Sequence, residues 1–111
     1  MTHPTKAIIR WLLSDYVRVS SSASGEGGQQ ADQLYNEQEL AACCERVQAI
    51  DYHQAVELFP GLRVTALQAG HVLGAAMFML EWAGQRILYT GDYSREEDRH
   101  LPAAEIPPLP P

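Results

Sequence analysis

The sequence predicts a small α/β domain in which two helices precede an antiparallel sheet of about four short strands. Near the start, apolar residues recur at three- and four-residue spacing, which is typical of a helix with one buried face. The second half contains short apolar runs separated by glycine and proline, which is typical of strands joined by tight turns. The 111 residues suffice for one small domain.

The first helix is predicted over residues 4–19. Pro4 suits the first turn because it has no amide hydrogen to leave unpaired, and Thr2 or His3 can cap the helix. The apolar residues at helical spacing are Ala7, Ile8, Trp11, Leu12, Tyr16 and Val19. This pattern indicates a surface helix that packs on something larger.

A low-complexity stretch, residues 20–33, separates the two helices. From Ser20 to Asp32 no apolar residue is larger than alanine, so burial cannot offset the backbone entropy lost on ordering. We expect a flexible loop within a single partial domain that spans residues 1–111. The second helix is predicted at about residues 37–49, with Asn36 and Glu39 forming a capping box.

Four strand signals fill the second half of the chain. Pro60-Gly61 marks one turn, and Ala83-Gly84-Gln85 makes a tight connection. The expected strands are residues 52–59, 62–69, 75–82 and 86–89. If both helices cover one face of this sheet, the other face is left bare, so the packing predicts an incomplete architecture of marginal stability.

The charge and composition exclude several classes of protein. With 14 acidic and 8 basic side chains, the net charge is −6, so we expect no nucleic-acid binding through a general basic face. No run approaches the roughly 20 apolar residues that a membrane span needs, and the first residues lack the layout of a secretory signal. The adjacent Cys43 and Cys44 form no C-x-x-C motif, which favours a reducing compartment.

Two polar side chains follow glycines at the ends of predicted strands: His71 after Gly70, and Asp92 after Gly91. Glycine permits a sharp turn and a close approach of a ligand. Imidazole and carboxylate are both good zinc ligands, and adjacent strand ends would bring them to one edge of the sheet. By spacing alone, a capped turn and a buried, satisfied histidine remain the more common alternative.

The segments around these residues are MTHPTKAI, RWLLSDYVRVS, AGHVLGAAMFMLE and LYTGDYSREEDRHLPAAEIP. In order and spacing they resemble the endonuclease family of the cleavage and polyadenylation specificity factor, which are zinc-dependent RNases of the metallo-β-lactamase fold and β-CASP group. The resemblance covers most of the chain except residues 20–67. The related Integrator-type nucleases share AGHVLGAAMF and TGDY, while MTHPTKAI, SREEDRHL and AAEIP resemble the cleavage-factor family more closely.

The resemblance implies that this chain is an incomplete part of a four-layer αββα sandwich. It also implies that His71 matches a histidine on one zinc and that Asp92 matches the carboxylate that bridges two zincs. Ser94, Arg95 and His100 lie close enough in sequence to contact the site or the substrate. For Ser94 and Arg95, a turn stabilised by Asp98 and Arg99 is an equal alternative.

The chain departs from the family in one respect that matters for chemistry. The H-x-H-x-D-H motif, which supplies most of the zinc ligands, is absent from the 111 residues and would lie before Met1. The β-CASP domain and the later histidines are also absent. Two ligands cannot hold two zincs, because a catalytic site usually has three protein donors and a water on each ion.

The function implied by the resemblance is hydrolytic cleavage of pre-mRNA at its 3′ end before polyadenylation. It would occur in the nucleus, together with other subunits of the cleavage and polyadenylation complex, and with no membrane involved. One alternative is an Integrator-type RNA endonuclease. Another is a truncated, non-catalytic chain with at most a scaffold or subunit-binding role.

The remaining histidines receive plainer interpretations. His3 stands at a helix start and is expected to be a cap or turn residue. His53 lies in a predicted strand, and we expect it to be exposed and inert.

We predict that the isolated chain neither binds zinc tightly nor cleaves RNA, because it offers too few donors. Calorimetric titration of the purified chain with zinc should show no strong binding. Sub-micromolar binding that disappears in His71→Ala would contradict this prediction.

Overall fold

The computed structural model describes residues 1–22 and 34–107. Within them the chain forms two helices followed by a four-stranded antiparallel sheet, which confirms the predicted α/β class and element order. The elements are α1 (His3–Ser22), α2 (Glu37–Arg46), β1 (Ala55–Phe59), β2 (Leu62–Gln68), β3 (Ala76–Trp82) and β4 (Gln85–Tyr89). The strands lie in the order β1-β2-β3-β4.

Contacts divide the chain into two units. The sheet unit consists of Met1–Thr5 and the chain from Ala49 onward, and the helix unit consists of Lys6–Gln48. The expectation that both helices cover one face of the sheet stays a prediction.

In the helix unit, the predicted boundary of α1 is wrong at its end. The helix continues through residues 20–22, which were expected to begin the flexible loop. The Ser20 hydroxyl donates hydrogen bonds to the carbonyls of Tyr16, at 2.8 Å, and Val17, at 3.1 Å, so it uses carbonyls at the helix end instead of competing with the helix. The rest of the predicted loop, residues 23–33, lies outside the described residues.

The second helix begins as predicted and ends earlier. The Asn36 side chain accepts hydrogen bonds from the amides of Gln38 and Glu39, and the Glu39 carboxylate accepts one from the Asn36 amide, which confirms the capping box. Val47 already has extended backbone angles. Residues 47–49 therefore lie outside the helix, and the next residue, Ile50, pairs with the start of the chain, where its amide donates to the Met1 carbonyl at 2.9 Å.

Aromatic packing marks the contact between α1 and the chain just before α2. The rings of Tyr16 and Tyr35 stack with their centroids 5.0 Å apart, and the Tyr35 hydroxyl donates to the Leu13 carbonyl. Desolvation, and then the nearby Tyr16, raise the pKa of Tyr35. Much of the predicted apolar stripe of α1 is nevertheless exposed, including Trp11 and Leu12. Neither described helix has the length and apolar character that crossing a membrane requires.

In the sheet unit, the register places apolar side chains on both faces. On one face, Leu67 is opposite Met77, and Met79 lies between Thr65 and Leu88. This face carries the buried cluster of Leu67, Ala69, Met77, Met79 and Ala104. Ala104 comes from the chain after β4, so that segment completes the core at one end of the sheet.

The opposite face carries Ala66, which is fully buried, and the pairs Phe78–Tyr89 and Leu80–Ile87. Tyr89 and Ile87 both remain mostly exposed. A sheet that is apolar on both faces is typical of an inner layer covered from two sides. This observation agrees with the predicted incomplete architecture.

The first strand begins later than predicted. Tyr52 forms an isolated bridge with Ala66, and His53 then adopts φ 64°, which breaks the extended conformation before β1 begins at Ala55. The Tyr52 hydroxyl donates to the Ala75 carbonyl at 2.8 Å, and burial raises the pKa of this phenol. Tyr52 therefore joins the chain before β1 to the residue before β3.

We predict a loss of stability at high pH that depends on Tyr52. Because its pKa is higher in the folded state than the ordinary value of about 10, its contribution is complete below pH 10 and is lost as the pH rises through the folded pKa. Denaturant midpoints measured between pH 8 and 11.5 should fall more steeply for the natural chain than for Tyr52→Phe. The variant should lose about 1 kcal/mol at pH 8. Parallel curves would show that the phenol does not contribute in this way.

Candidate metal centre

The topology brings the two predicted ligands to one edge of the sheet. β2 and β4 both run antiparallel to β3, so they run in the same direction and end at the same edge. The loop after β2 carries Gly70 and His71, and the chain after β4 carries Gly91 and Asp92. The prediction that both side chains lie at one edge of the sheet is confirmed, but their strands are not neighbours, because β3 lies between β2 and β4.

The side chains of His71 and Asp92 approach each other closely. His71 Nε2 lies 3.7 Å from Asp92 Oδ2, and the two side chains are 45% and 90% exposed. The alternative of a buried, satisfied histidine is therefore wrong. Both side chains are accessible from solvent, Asp92 almost fully.

The backbone turns sharply at the end of β2. Gly70 has φ 63°, and a Cβ atom placed on it would lie 2.7 Å from the Ser94 carbonyl oxygen and 3.1 Å from that of Pro102. His71 follows with φ 60°, a left-handed conformation that costs a residue with a Cβ roughly 1–2 kcal/mol. Strain of this kind persists only where the surrounding structure holds it.

Two backbone hydrogen bonds provide that support. The Ser94 amide donates to the Ala69 carbonyl at 2.9 Å, and the Ala104 amide donates to the Ser94 carbonyl at 2.7 Å. Ser94 is two residues after Asp92, and Ala69 is two residues before His71. These bonds join the two turns that carry the candidate ligands, and they account for the short distance between His71 and Asp92.

Ser94 and Arg95 form hydrogen bonds with nearby backbone groups. The Ser94 hydroxyl accepts a hydrogen bond from the Glu96 amide at 3.2 Å, and the Arg95 guanidinium donates to the Ala104 carbonyl. Asp98 and Arg99 form a local turn, in which the Arg99 amide donates to Asp98 Oδ1. These contacts favour the structural interpretation of Ser94 and Arg95. A role for Ser94, Arg95 or the exposed His100 at the substrate stays a prediction.

The structure corrects the interpretation of His53. Its side chain is exposed as expected, but it lies before β1 and is not inert: Nε2 is 2.9 Å and 2.8 Å from the two carboxylate oxygens of Glu105. Sequence reasoning missed Glu105 as a partner, because the two residues are 52 positions apart. The left-handed backbone at His53 cannot be seen in the residue pattern.

The residues at the helix start also differ from expectation. The Thr2 hydroxyl lies 3.0 Å from that of Thr5 in the first turn of α1, and it donates to the Gly74 carbonyl at 2.6 Å, which joins the start of the chain to the loop before β3. His3 is the first residue of α1, and its Nε2 lies 3.4 Å from Asp51 Oδ1 in an exposed pair. Neither residue lies with the candidate ligands.

The two donors fit one zinc ion in kind and spacing. Zinc accepts imidazole nitrogen and carboxylate oxygen at about 2.0–2.2 Å, so two donors at a tetrahedral centre lie about 3.4 Å apart. The observed 3.7 Å requires only a small adjustment. The number of donors is insufficient, because no group of three or more metal-binding side chains occurs within residues 1–22 and 34–107.

Comparison with known proteins identifies the family. A family model described as a metallo-β-lactamase superfamily domain matches residues 1–108. The chain belongs to the metallo-β-lactamase superfamily. The helices and the antiparallel sheet are thus part of a metallo-β-lactamase fold, as the sequence motifs predicted.

Curated relatives within this superfamily are named endoribonuclease YSH1. The chain is 56% identical to the one from Candida glabrata over 110 residues, which cover 99% of this chain and 14% of that protein. It is 55% identical to the Mycosarcoma maydis protein over 111 residues, which cover 100% of this chain and 12% of that protein. It is 54% identical to the Saccharomyces cerevisiae protein over 111 residues, which cover 98% of this chain and 14% of that protein. The chain therefore spans about one seventh of the length of these relatives.

We predict that Gly70→Ala separates the two candidate ligands. The new methyl group would meet backbone atoms, which cannot move without breaking the Ser94 and Ala104 hydrogen bonds, so the loss should be about 2–4 kcal/mol. The matched control is Gly84→Ala, which has a similar φ of 76° but nothing within 4 Å of the added Cβ. It should lose only about 1 kcal/mol. Denaturant unfolding of both variants measures the difference, and equal losses would mean that the close contacts at Gly70 contribute nothing.

Proposed function

We propose that this chain is a ligand-bearing part of a zinc-dependent endoribonuclease, to which it supplies His71 and Asp92. The observation that carries the proposal is their approach to 3.7 Å at one sheet edge. It occurs in a metallo-β-lactamase chain more than half identical to proteins named as endoribonucleases. The donor types and their spacing support zinc as the metal.

Each residue has a distinct role in this proposal. The His71 imidazole would bind one zinc through Nε2, and the left-handed turn at Gly70-His71 fixes where that nitrogen lies. The Asp92 carboxylate, with two oxygens and 90% exposure, can bridge a pair of ions. When bound, two zinc ions would activate a water and neutralise charge that develops on the scissile phosphate.

The remaining donors have to come from outside the described residues. Zinc in a catalytic site needs about three protein ligands, and this chain brings two to the sheet edge. The curated relatives are about seven times longer than the matched segment, so their other residues can complete such a site. We infer that catalysis requires the longer protein and that the chain alone is inactive.

The substrate we propose is pre-mRNA, cleaved at its 3′ end before polyadenylation. The β-CASP group, the other subunits of the cleavage and polyadenylation complex, and a nuclear location are part of the same proposal and rest on the sequence resemblance. The net charge of −6 indicates that RNA is held mainly by other parts of the protein or by partners. An Integrator-type nuclease would use the same two ligands on a different RNA.

A second candidate is a non-catalytic chain with a scaffold or subunit-binding role. The observation that favours it is the shortage of donors: two metal-binding side chains at the sheet edge where a working centre needs more. The experiment below separates it from the nuclease.

The test replaces the matching segment of the Saccharomyces cerevisiae endoribonuclease with this chain and measures zinc-dependent cleavage of RNA in vitro. We expect the chimera to cleave, and His71→Ala or Asp92→Asn to reduce the rate by at least about 100-fold. His3→Ala is the matched control, because it removes another exposed histidine that pairs with a carboxylate, and it should leave the rate unchanged.

A folded, zinc-loaded chimera whose cleavage survives both ligand substitutions would overturn the proposed roles. A chimera that folds and joins its partners but never cleaves would support the scaffold alternative.

A further inference from the structure

We propose that His53 and Glu105 are positioning residues for the candidate metal centre. They form a latch, defined here as the contacts among His53, Glu105 and Gln68. The latch holds the chain around Ala104 against the end of β2, and so keeps the His71 and Asp92 turns together. The assignment of the metal centre rests on the proposed function; the latch itself rests on the contacts described next.

Glu105 holds the end of β2 from two sides. Its amide donates to the Gln68 carbonyl at 3.1 Å, and its carboxylate oxygen Oε1 accepts a hydrogen bond from the Gln68 amide at 3.1 Å. One residue thus satisfies both backbone groups of Gln68. An ionised carboxylate is a stronger acceptor for a backbone amide than a neutral group is.

His53 fixes the carboxylate in that position. Its Nε2 lies 2.9 Å from Oε1 and 2.8 Å from Oε2 of Glu105. The His53 backbone is itself anchored, because its amide donates to the Ala66 carbonyl at 2.7 Å. The anchor and the carboxylate contact therefore both involve the last residues of β2.

The unusual backbone conformation of His53 indicates that this position has a functional role. Its φ of 64° lies in the left-handed region, which costs a residue with a Cβ free energy, and an observed outlier of this kind is grounds for a functional hypothesis. Burial does not explain it, since the His53 side chain is 61% exposed and that of Glu105 is 28% exposed. A contact whose histidine lies mostly in solvent adds little to overall stability.

The position of the latch in the fold gives a better reason for the left-handed backbone at His53. Glu105 follows Ala104, whose amide donates to the Ser94 carbonyl, and Ser94 in turn donates to Ala69. Gln68 and Ala69 immediately precede the Gly70-His71 turn. From Glu105 the hydrogen bonds therefore run to both segments that carry the candidate ligands. If the Glu105 carboxylate is released, the chain around Ala104, which joins the His71 and Asp92 segments, is held less firmly.

The test uses the chain labelled for NMR without metal. We expect His53→Ala to weaken the nuclear Overhauser contact between the His71 ring and the Asp92 side chain. It should also speed hydrogen exchange at the Gln68, Ser94 and Ala104 amides at least five-fold. The urea midpoint should stay unchanged, because the pair is exposed. His53→Gln, which restores a side-chain N–H donor toward Glu105, should recover both signals, and Glu105→Ala should reproduce the loss.

The matched control is His3→Ala, which breaks another exposed histidine–carboxylate pair of the sheet unit, with Asp51, and should leave these signals unchanged. Unchanged His71–Asp92 contact and exchange in His53→Ala would overturn the latch. So would a uniform rise in exchange with a lower urea midpoint, or a failure of His53→Gln to rescue.

A second arm adds zinc up to millimolar concentration and follows the His71 and Asp92 resonances. In the natural chain both should shift, and His53→Ala should weaken the apparent affinity by about ten-fold. If cleavage by the chimera survives His71→Ala and Asp92→Asn, the assigned metal ligands are wrong, whereas the metal-free arm still decides the latch. If zinc shifts them equally in His53→Ala and the natural chain, the positioning role for the centre is wrong.

Discussion

The hydrogen bond from the Ser94 amide to the Ala69 carbonyl is the contact on which the candidate site depends. It joins the chain after β4 to the end of β2, past the beginning of β3. It therefore links the turn that carries Asp92 to the turn that carries His71. Gly70 is required at this point because the Ser94 carbonyl occupies the space that any side chain would need. Ala104 then closes the arrangement, since it contributes both a hydrogen bond to Ser94 and a buried methyl group to the core.

Residue patterns predicted the features that depend on local sequence. The capping box at Asn36 and Glu39, the order of helices and strands, and the placement of His71 and Asp92 at one edge all follow from spacing, turn residues and strand direction. The ends of elements were less predictable. Helix α2 stops at Arg46, and Ile50 beyond it pairs with Met1, a contact between residues that are far apart in the chain.

The contacts that sequence reasoning missed share the same cause. His53 meets Glu105 and Thr2 meets Gly74 only because the fold brings distant segments together. Neither residue carries a periodic pattern that would mark its partner. For Ser94 and Arg95 the pattern left two interpretations open, and the hydrogen bonds to Glu96 and Ala104 favour the structural one. The candidate metal centre was proposed through motif resemblance, since two donors of suitable type are too common to identify one.

The left-handed backbone at His71 also limits which residue types could replace it in evolution or design. Histidine, asparagine and aspartate occur in this region several times more often than other residues with a Cβ. Among the side chains that bind zinc, cysteine and glutamate would therefore meet a conformational penalty before any question of coordination arises. The backbone conformation at the end of β2 therefore favours histidine and aspartate over cysteine and glutamate at position 71.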